Sequence, residues 1–398
     1  MPAVLIIALV LCAGVASFWL AWRLRWPAVP LLLLSGAALS HVLPPLSWKV
    51  FSPIIALAIA LVFFEGGRSL GSRTLRHRHL VSHLVAIGPK VGWLLTAGLA
   101  HLLLGLPATP ALLLGALLMI HSPYSVRAFV ERLGGQEDMA DVLCWETYIL
   151  SCVGCAWSVL MFLILRSHAE HPSLLTTLAL TLKVLAVGLG FGVVSAWVML
   201  LIVRKQWAPP HLQPCVCLSL CLLNFGLAQA VFAGAGLVAS GIMGYGVAGR
   251  ARETIGELGS HLLTLFVAGA GITLGIYIPL ANLGQNWLPR VAFAILLVLL
   301  VRPLLAYLGA RKAGLSQSEN RLLQLTAPRG VLTLGITVHL SQLLNDLGIP
   351  DALELIPIVY WCVLVSILGP WMVPTFFPGY LGRPALQAAP ETAGNEVA

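Results

Sequence analysis

The sequence predicts an all-α polytopic membrane protein of about thirteen transmembrane helices, and three observations predict it. Of 398 residues, 59% are hydrophobic and 10% are charged, whereas a soluble domain carries about 25% charged residues. Mean hydropathy is +0.93. Apolar runs near the length a helix needs to cross a bilayer, about 20 residues, recur from end to end. The same numbers exclude a disordered chain, a disulfide scaffold and a nucleic-acid binder. The 23 basic residues are spread too thinly to make a basic stripe.

The runs fall at 3–22, 28–43, 53–67, 84–104, 110–133, 142–165, 173–203, 212–232, 235–249, 258–278, 289–309, 320–344 and 354–376. Charge placement supports this division. With run ends good to a few residues, sixteen basic residues lie in or beside the loops after odd-numbered runs and in the tail, and three, Lys49, Arg166 and Arg290, in or beside those after even-numbered ones. Such an asymmetry places the N-terminus outside and the C-terminus in the cytoplasm of a multi-pass protein of the inner (plasma) membrane. The first run reads as a retained anchor, since no basic segment precedes it and no small-residue cleavage site follows. Residues 383–398, rich in Ala, Pro, Glu and Gly, read as a disordered cytoplasmic tail. The loop Arg68–His83 is expected to rest on anionic headgroups, at about 1 kcal/mol per basic residue.

Two conspicuous patterns have ordinary explanations. Cys152 and Cys155 form a C-x-x-C inside a spanning run, and Cys215, Cys217 and Cys221 crowd another. Cysteine is a small hydrophobe that packs well between helices, so metal or redox chemistry is not expected. Gly244-Tyr245-Gly246-Val247-Ala248-Gly249 spells G-x-G-x-x-G, but no strand precedes it and no acidic residue follows. Close helix packing explains it better, as at Gly188/Gly192 and Gly271/Gly275. No cofactor pattern is present, and no nucleophile stands at a useful spacing from a base. An enzyme is not expected.

Polar residues at membrane depth are costly, and each is a candidate site residue. They are Glu146, Lys183, Arg302, Arg329, His121 and His339, while Glu65 and Lys90 sit close enough to span ends to reach the interface. Glu146 alone among the acids lies deep, so it is expected to be protonated or paired, with Arg329 or Arg302 as partner. Two runs are also broken, the fifth at His121-Ser122-Pro123 and the twelfth at Ala327-Pro328-Arg329-Gly330. Proline removes a backbone donor there. Unwound backbone survives at bilayer depth only inside protein or facing water. Interrupted helices in corresponding positions of two inverted halves point to the midplane site of a secondary transporter.

Several ordered motifs resemble the monovalent cation/proton antiporters of the sodium/proton exchanger superfamily. Phe64-Glu65-Gly66-Gly67, the Ala116–Val126 break, Glu146–Ser151, Ser240-Gly241-Ile242, Arg302-Pro303-Leu304 and Ala327-Pro328-Arg329-Gly330-Val331 carry the likeness, which runs from about residue 28 to 382. It implies an inverted repeat with two crossed broken helices within one domain of residues 1–382. Core helices would lie at about 84–165 and 258–344, and the remainder would form a dimerisation domain, giving a homodimer. It implies a transporter exchanging a monovalent cation, sodium or potassium, for protons, with no cofactor and no metal.

The departures fall on the chemistry. Where the family has Thr-Asp-Pro, this chain has His121-Ser122-Pro123; where it has Asn-Asp, this chain has Leu150-Ser151. Both ion-binding carboxylates are replaced. Glu146 and Arg329 match what looks like the family's scaffold salt bridge. A hydroxyl can coordinate a cation but does not titrate near neutral pH. Replacement titrating groups are His121, with an ordinary pKa of about 6.5, and Glu146. The expected transport core is therefore His121, Ser122, Pro123, Glu146, Thr147, Leu150, Ser151 and Arg329, with Arg302 as the alternative charge partner. Two other readings stay open from sequence: a non-transporting sensor, accessory or scaffold protein, and a carrier of a different solute whose site is lined by Leu150, Ser122, Thr147 and Ser151.

Overall fold

The computed structural model describes residues 3–43, 48–71, 77–133, 137–166, 174–248, 252–278, 283–311, 313–349 and 352–377. The described residues are helical, and helices or helix pairs cover each of the thirteen apolar runs. The first half comprises α1 (Ala3–Leu24), α2 (Ala28–Leu39), α3 (Trp48–Gly71), α4 (Arg78–Ile87), α5 (Trp93–Leu104), α6 (Ala108–Leu117), α7 (Pro123–Arg132), α8 (Glu137–Arg166) and α9 (Leu174–Arg204). The second comprises α10 (Gln213–Val231), α11 (Ala235–Val247), α12 (Arg252–Tyr277), α13 (Trp287–Leu296), α14 (Arg302–Ala310), α15 (Gln317–Leu325), α16 (Val331–Asp346) and α17 (Leu355–Phe376). Eight of the resulting segments are long and apolar enough to cross a bilayer unaided, and four shorter apolar helices lie among them. The twelfth run belongs to neither group, because its break divides it into α15 and α16. The predicted tail, residues 383–398, lies outside the described residues, as does most of the basic loop before α4.

Local chemistry sets the boundaries. α4 and α5 are one helix interrupted by a π turn, Gly88–Gly92, and α13 and α14 are joined by another, Leu297–Val301. Pro89 lies inside the first and Pro303 just after the second. A proline ring clashes with the carbonyl four residues back, and a widened turn relieves that clash. Gly105 ends α5 in the left-handed region at φ 66°, which only glycine enters without strain. The next helix pair starts after Pro107. Ser316 caps α15 with a full capping box, its side chain accepting from Glu319 N. Hydrogen bonds from Ser316 hold the Glu319 carboxyl below the usual carboxylate range.

Where helices cross closely, glycine removes the obstruction. A β-carbon at Gly67 would run into the Gly241 carbonyl, and one at Gly244 into the Phe64 carbonyl. These pairs lock α3 against α11, which explains both Phe64-Glu65-Gly66-Gly67 and Ser240-Gly241 as packing sequences. Glu65 itself pairs with Arg68 on the same helix, 2.7 Å and 2.5 Å. Gly188 and Gly192 admit Val238 and Ile242, so α9 lies along the other side of α11. Gly271 and Gly275 admit α2 onto α12. Gly244 and Gly246 of the G-x-G-x-x-G string thus sit at helix crossings, as expected for small residues in a membrane interior, and Gly249 lies outside the described residues. Tyr148 on α8 reaches the same region. Its hydroxyl donates to Phe63 O at 3.2 Å, and a β-carbon at Gly66 would lie 2.7 Å from its ring.

Gly67→Val or Gly244→Val should cost about 1–3 kcal/mol through overpacking and lower the melting temperature of the detergent-solubilised protein. Gly98→Ala, whose β-carbon would meet nothing within 4 Å, should leave it unchanged or slightly raised.

Candidate functional site

The two interruptions meet. α6 ends at Leu117 and α7 begins at Pro123; α15 ends at Leu325 and α16 begins at Val331. The unwound strands between them satisfy one another. Ser122 N donates to Pro328 O at 2.8 Å, Thr333 Oγ1 to Ile120 O at 2.7 Å, and Arg329 Nε to Leu118 O at 2.9 Å. From outside the crossing, Ser366 Oγ accepts from Arg329 N at 3.2 Å. A β-carbon at Gly330 would lie 2.9 Å from Ser122 Cβ, so only glycine lets the strands approach this far. Unpaired amides at this depth would each cost several kcal/mol.

Ser151 holds the first break to α8. Its Oγ accepts from His121 N at 3.1 Å, and its single proton has two acceptors in reach, Thr147 O at 2.7 Å and His121 O at 3.1 Å. A hydroxyl at this position thus ties down unwound backbone.

Glu146 pairs with Arg302, not with Arg329. Arg302 Nη1 and Nη2 donate to the two carboxylate oxygens at 2.5 Å and 2.9 Å, and its Nε donates to Leu323 O at 3.1 Å. Both residues are buried, at 3% and 7% exposure. The bonds account for the choice: the Arg302 guanidinium is held between Glu146 and Leu323 O, while Arg329 is held on Leu118 O. A two-pronged, fully bonded pair is the arrangement in which a buried ion pair keeps its attraction against desolvation.

Inside the crossing is a cavity of about 40 Å³ lined by His121, Glu146, Leu150, Arg302 and Arg329, with Gly88, Gly92 and Val301 from the two π turns. It has room for about two or three waters. His121 is 7% exposed. Its imidazole interacts with the Met119 backbone, yet Nδ1 makes no hydrogen bond of ordinary geometry. Ser122, its neighbour, lines a different space. It lines a separate apolar pocket of about 20 Å³ with Ser125, Ile55 and Ile59, and its Oγ lies 3.0 Å from Ser125 Oγ.

The structure therefore gathers His121, Glu146, Leu150, Arg302 and Arg329 around one space. Ser151 adjoins that space through its bonds to the His121 backbone, and Ser122 lines the separate pocket. Thr147 is buried beside Glu146 on α8. Two predicted polar residues are elsewhere. Lys183 is exposed on α9, its long stem letting the ammonium leave the apolar interior. His339 lines a larger pocket of about 270 Å³ with Gln229, Ser52 and Phe225. Sequence reasoning missed Thr333, Ser366 and the π turns. The visible signal for the turns was the pair Pro89 and Pro303 in spans four and eleven.

The family profile described as "Sodium/hydrogen exchanger, transmembrane" matches residues 6–377. A structure of the sodium proton antiporter MjNhaP1 from Methanocaldococcus jannaschii at pH 8 superimposes with a TM-score of 0.79 at 19% identity, over 95% of this chain and 97% of that one. An electron-microscopy structure of the same antiporter gives 0.74 at 20% identity, over 98% and 99%. At these identities the likeness is one of fold.

Glu146→Gln and Arg302→Gln should each cost about 3–5 kcal/mol by stranding a buried charge or its partner. Their combination should cost markedly less than the sum. Glu146→Gln with Arg329→Gln should couple more weakly than that pair, because the two line one cavity without bonding to each other. Unfolding of the purified variants checks all three.

Proposed function

The chain belongs to the sodium/hydrogen exchanger family, and from that premise we propose that it exchanges a monovalent cation, sodium or potassium, for protons with His121 as the proton-carrying group. The observation that carries this reading is the crossing itself: two mutually bonded breaks enclose an imidazole whose Nδ1 is left without a hydrogen bond. Glu146 is engaged at both oxygens, which leaves His121 as the titratable group lining the cavity with bonding capacity to spare. The cation would be taken by hydroxyls and unwound carbonyls about Ser122 and Ser125. Imidazolium and cation would then exclude one another by repulsion. Two unit charges about 8 Å apart repel by about 2 kcal/mol at an effective dielectric constant of 20, equivalent to about one and a half decades in affinity.

In this reading the protein is a homodimer of the inner (plasma) membrane, with its N-terminus outside and its C-terminus in the cytoplasm. The moving core comprises the helices at about 84–165 and those around the second break. α12, which the sequence reading grouped with the core, packs along α1, α2 and α3. That packing favours placing it with the dimerisation helices. The ties from Ser151 to His121 favour a second reading, in which the break is fixed and the protein is a non-transporting sensor, accessory or scaffold.

Purified protein in proteoliposomes with an imposed pH gradient separates the two. Sodium or potassium should collapse the gradient, and His121→Ala should slow that collapse at least tenfold. A folded dimer showing no cation-dependent collapse would overturn antiport in favour of the second reading.

A further inference from the structure

Charge at the crossing does not balance. Of the ionised groups lining the 40 Å³ cavity, Glu146 and Arg302 cancel through their two-pronged pair. Arg329 is 7% exposed, and no carboxylate among the described residues pairs with it. Its side chain donates to the Leu118 carbonyl at the end of α6, and a helix terminus supplies only about half a negative charge. His121 adds a second positive charge whenever it carries a proton into the same space. Nothing fixed in the wall answers either charge.

The cavity is built to stay open. The two π turns flank it, and glycine at 88 and 92 puts no side chain into it. Leu150 closes one wall without a polar atom. His121 Nδ1, unbonded and buried, lines the space beside Arg329. A planar multi-donor cation beside an imidazole nitrogen that becomes an N–H donor when the ring is protonated is a setting for an acceptor-only guest.

We propose that this cavity binds a small monovalent anion of about the size of chloride between Arg329 and His121, and that the anion supplies the negative charge the wall lacks. The anion neutralises Arg329 at rest and accompanies the proton on His121 during exchange. This rests on the antiport reading for its role in transport, but not for the existence of the site. Exchange should accordingly depend on chloride, and a fixed carboxylate placed in the cavity should remove the dependence. Leu150→Asp puts one there, and Leu150→Asn is the uncharged control of equal size.

The test uses the full chain in two formats. In proteoliposomes, replacing chloride by gluconate on both sides should slow cation-dependent proton exchange at least tenfold in the native protein and in Leu150→Asn. Leu150→Asp should keep its rate in gluconate. In detergent, chloride should raise the melting temperature saturably relative to gluconate, and Arg329→Gln should abolish that shift. Should Arg329→Gln not fold, His121→Ala must reduce the shift. Equal native exchange in both media, with no melting shift, overturns the anion site while leaving antiport intact. Exchange absent in both media overturns antiport instead. The melting shift then decides the site: a chloride-specific shift sustains it, and water alone in the cavity, showing no shift, overturns it.

Discussion

Unwound backbone in the middle of a hydrocarbon layer persists only if every freed N–H and C=O finds a partner within the protein. The mutual bonding of the two breaks meets that constraint, and the rest of the structure is arranged around it. Ser122 N on Pro328 O, Thr333 on Ile120 O and Arg329 on Leu118 O join segments more than 200 residues apart. Once these are made, α6, α7, α15 and α16 have fixed relative positions. Ser151 then ties the first break to α8, and α8 brings Glu146 to Arg302. The ion pair and the cavity follow from the crossing rather than causing it.

The scaffold outside the crossing obeys a different rule. There is no hydrophobic drive between helices in lipid, so α3, α11 and α9 associate by close contact through glycine. That is why sequence patterns resembling functional signatures, including G-x-G-x-x-G, prove to be surfaces where one backbone lies on another. The buried charged residues around the 40 Å³ cavity stand beside the places where helices are interrupted, either by a full break or by a π turn.

Much of this was legible in the sequence. The apolar runs and the alternation of basic loops located the helices, because bilayer thickness and lipid charge act on residues one at a time. Pro123 and Pro328 located the breaks, because a missing donor in an apolar run is a local fact. The partner of Glu146 was not legible: Arg302 and Arg329 are both single arginines in later runs, and only the bonds each makes in the fold decide between them. The same holds for His121 and Ser122, adjacent in sequence yet lining separate spaces, since the apolar pattern gives no direction to side chains on unwound backbone. Lys183 misled for the opposite reason, because hydropathy gives depth along a helix and says nothing about which side faces lipid.

Tyr148 carries a consequence of a mechanical kind. It lies one turn of helix or less from both Glu146 and Ser151, with its ring against Gly66 and its hydroxyl on Phe63 O. A side chain keyed into a neighbouring bundle this way indexes α8 against α3 to a single height. Sliding α8 by one helical repeat, about 5.4 Å, withdraws the phenol from its notch and takes its hydroxyl away from the Phe63 carbonyl. A shear load along the helix axes is therefore borne first at this tyrosine, which makes it the detent of the assembly.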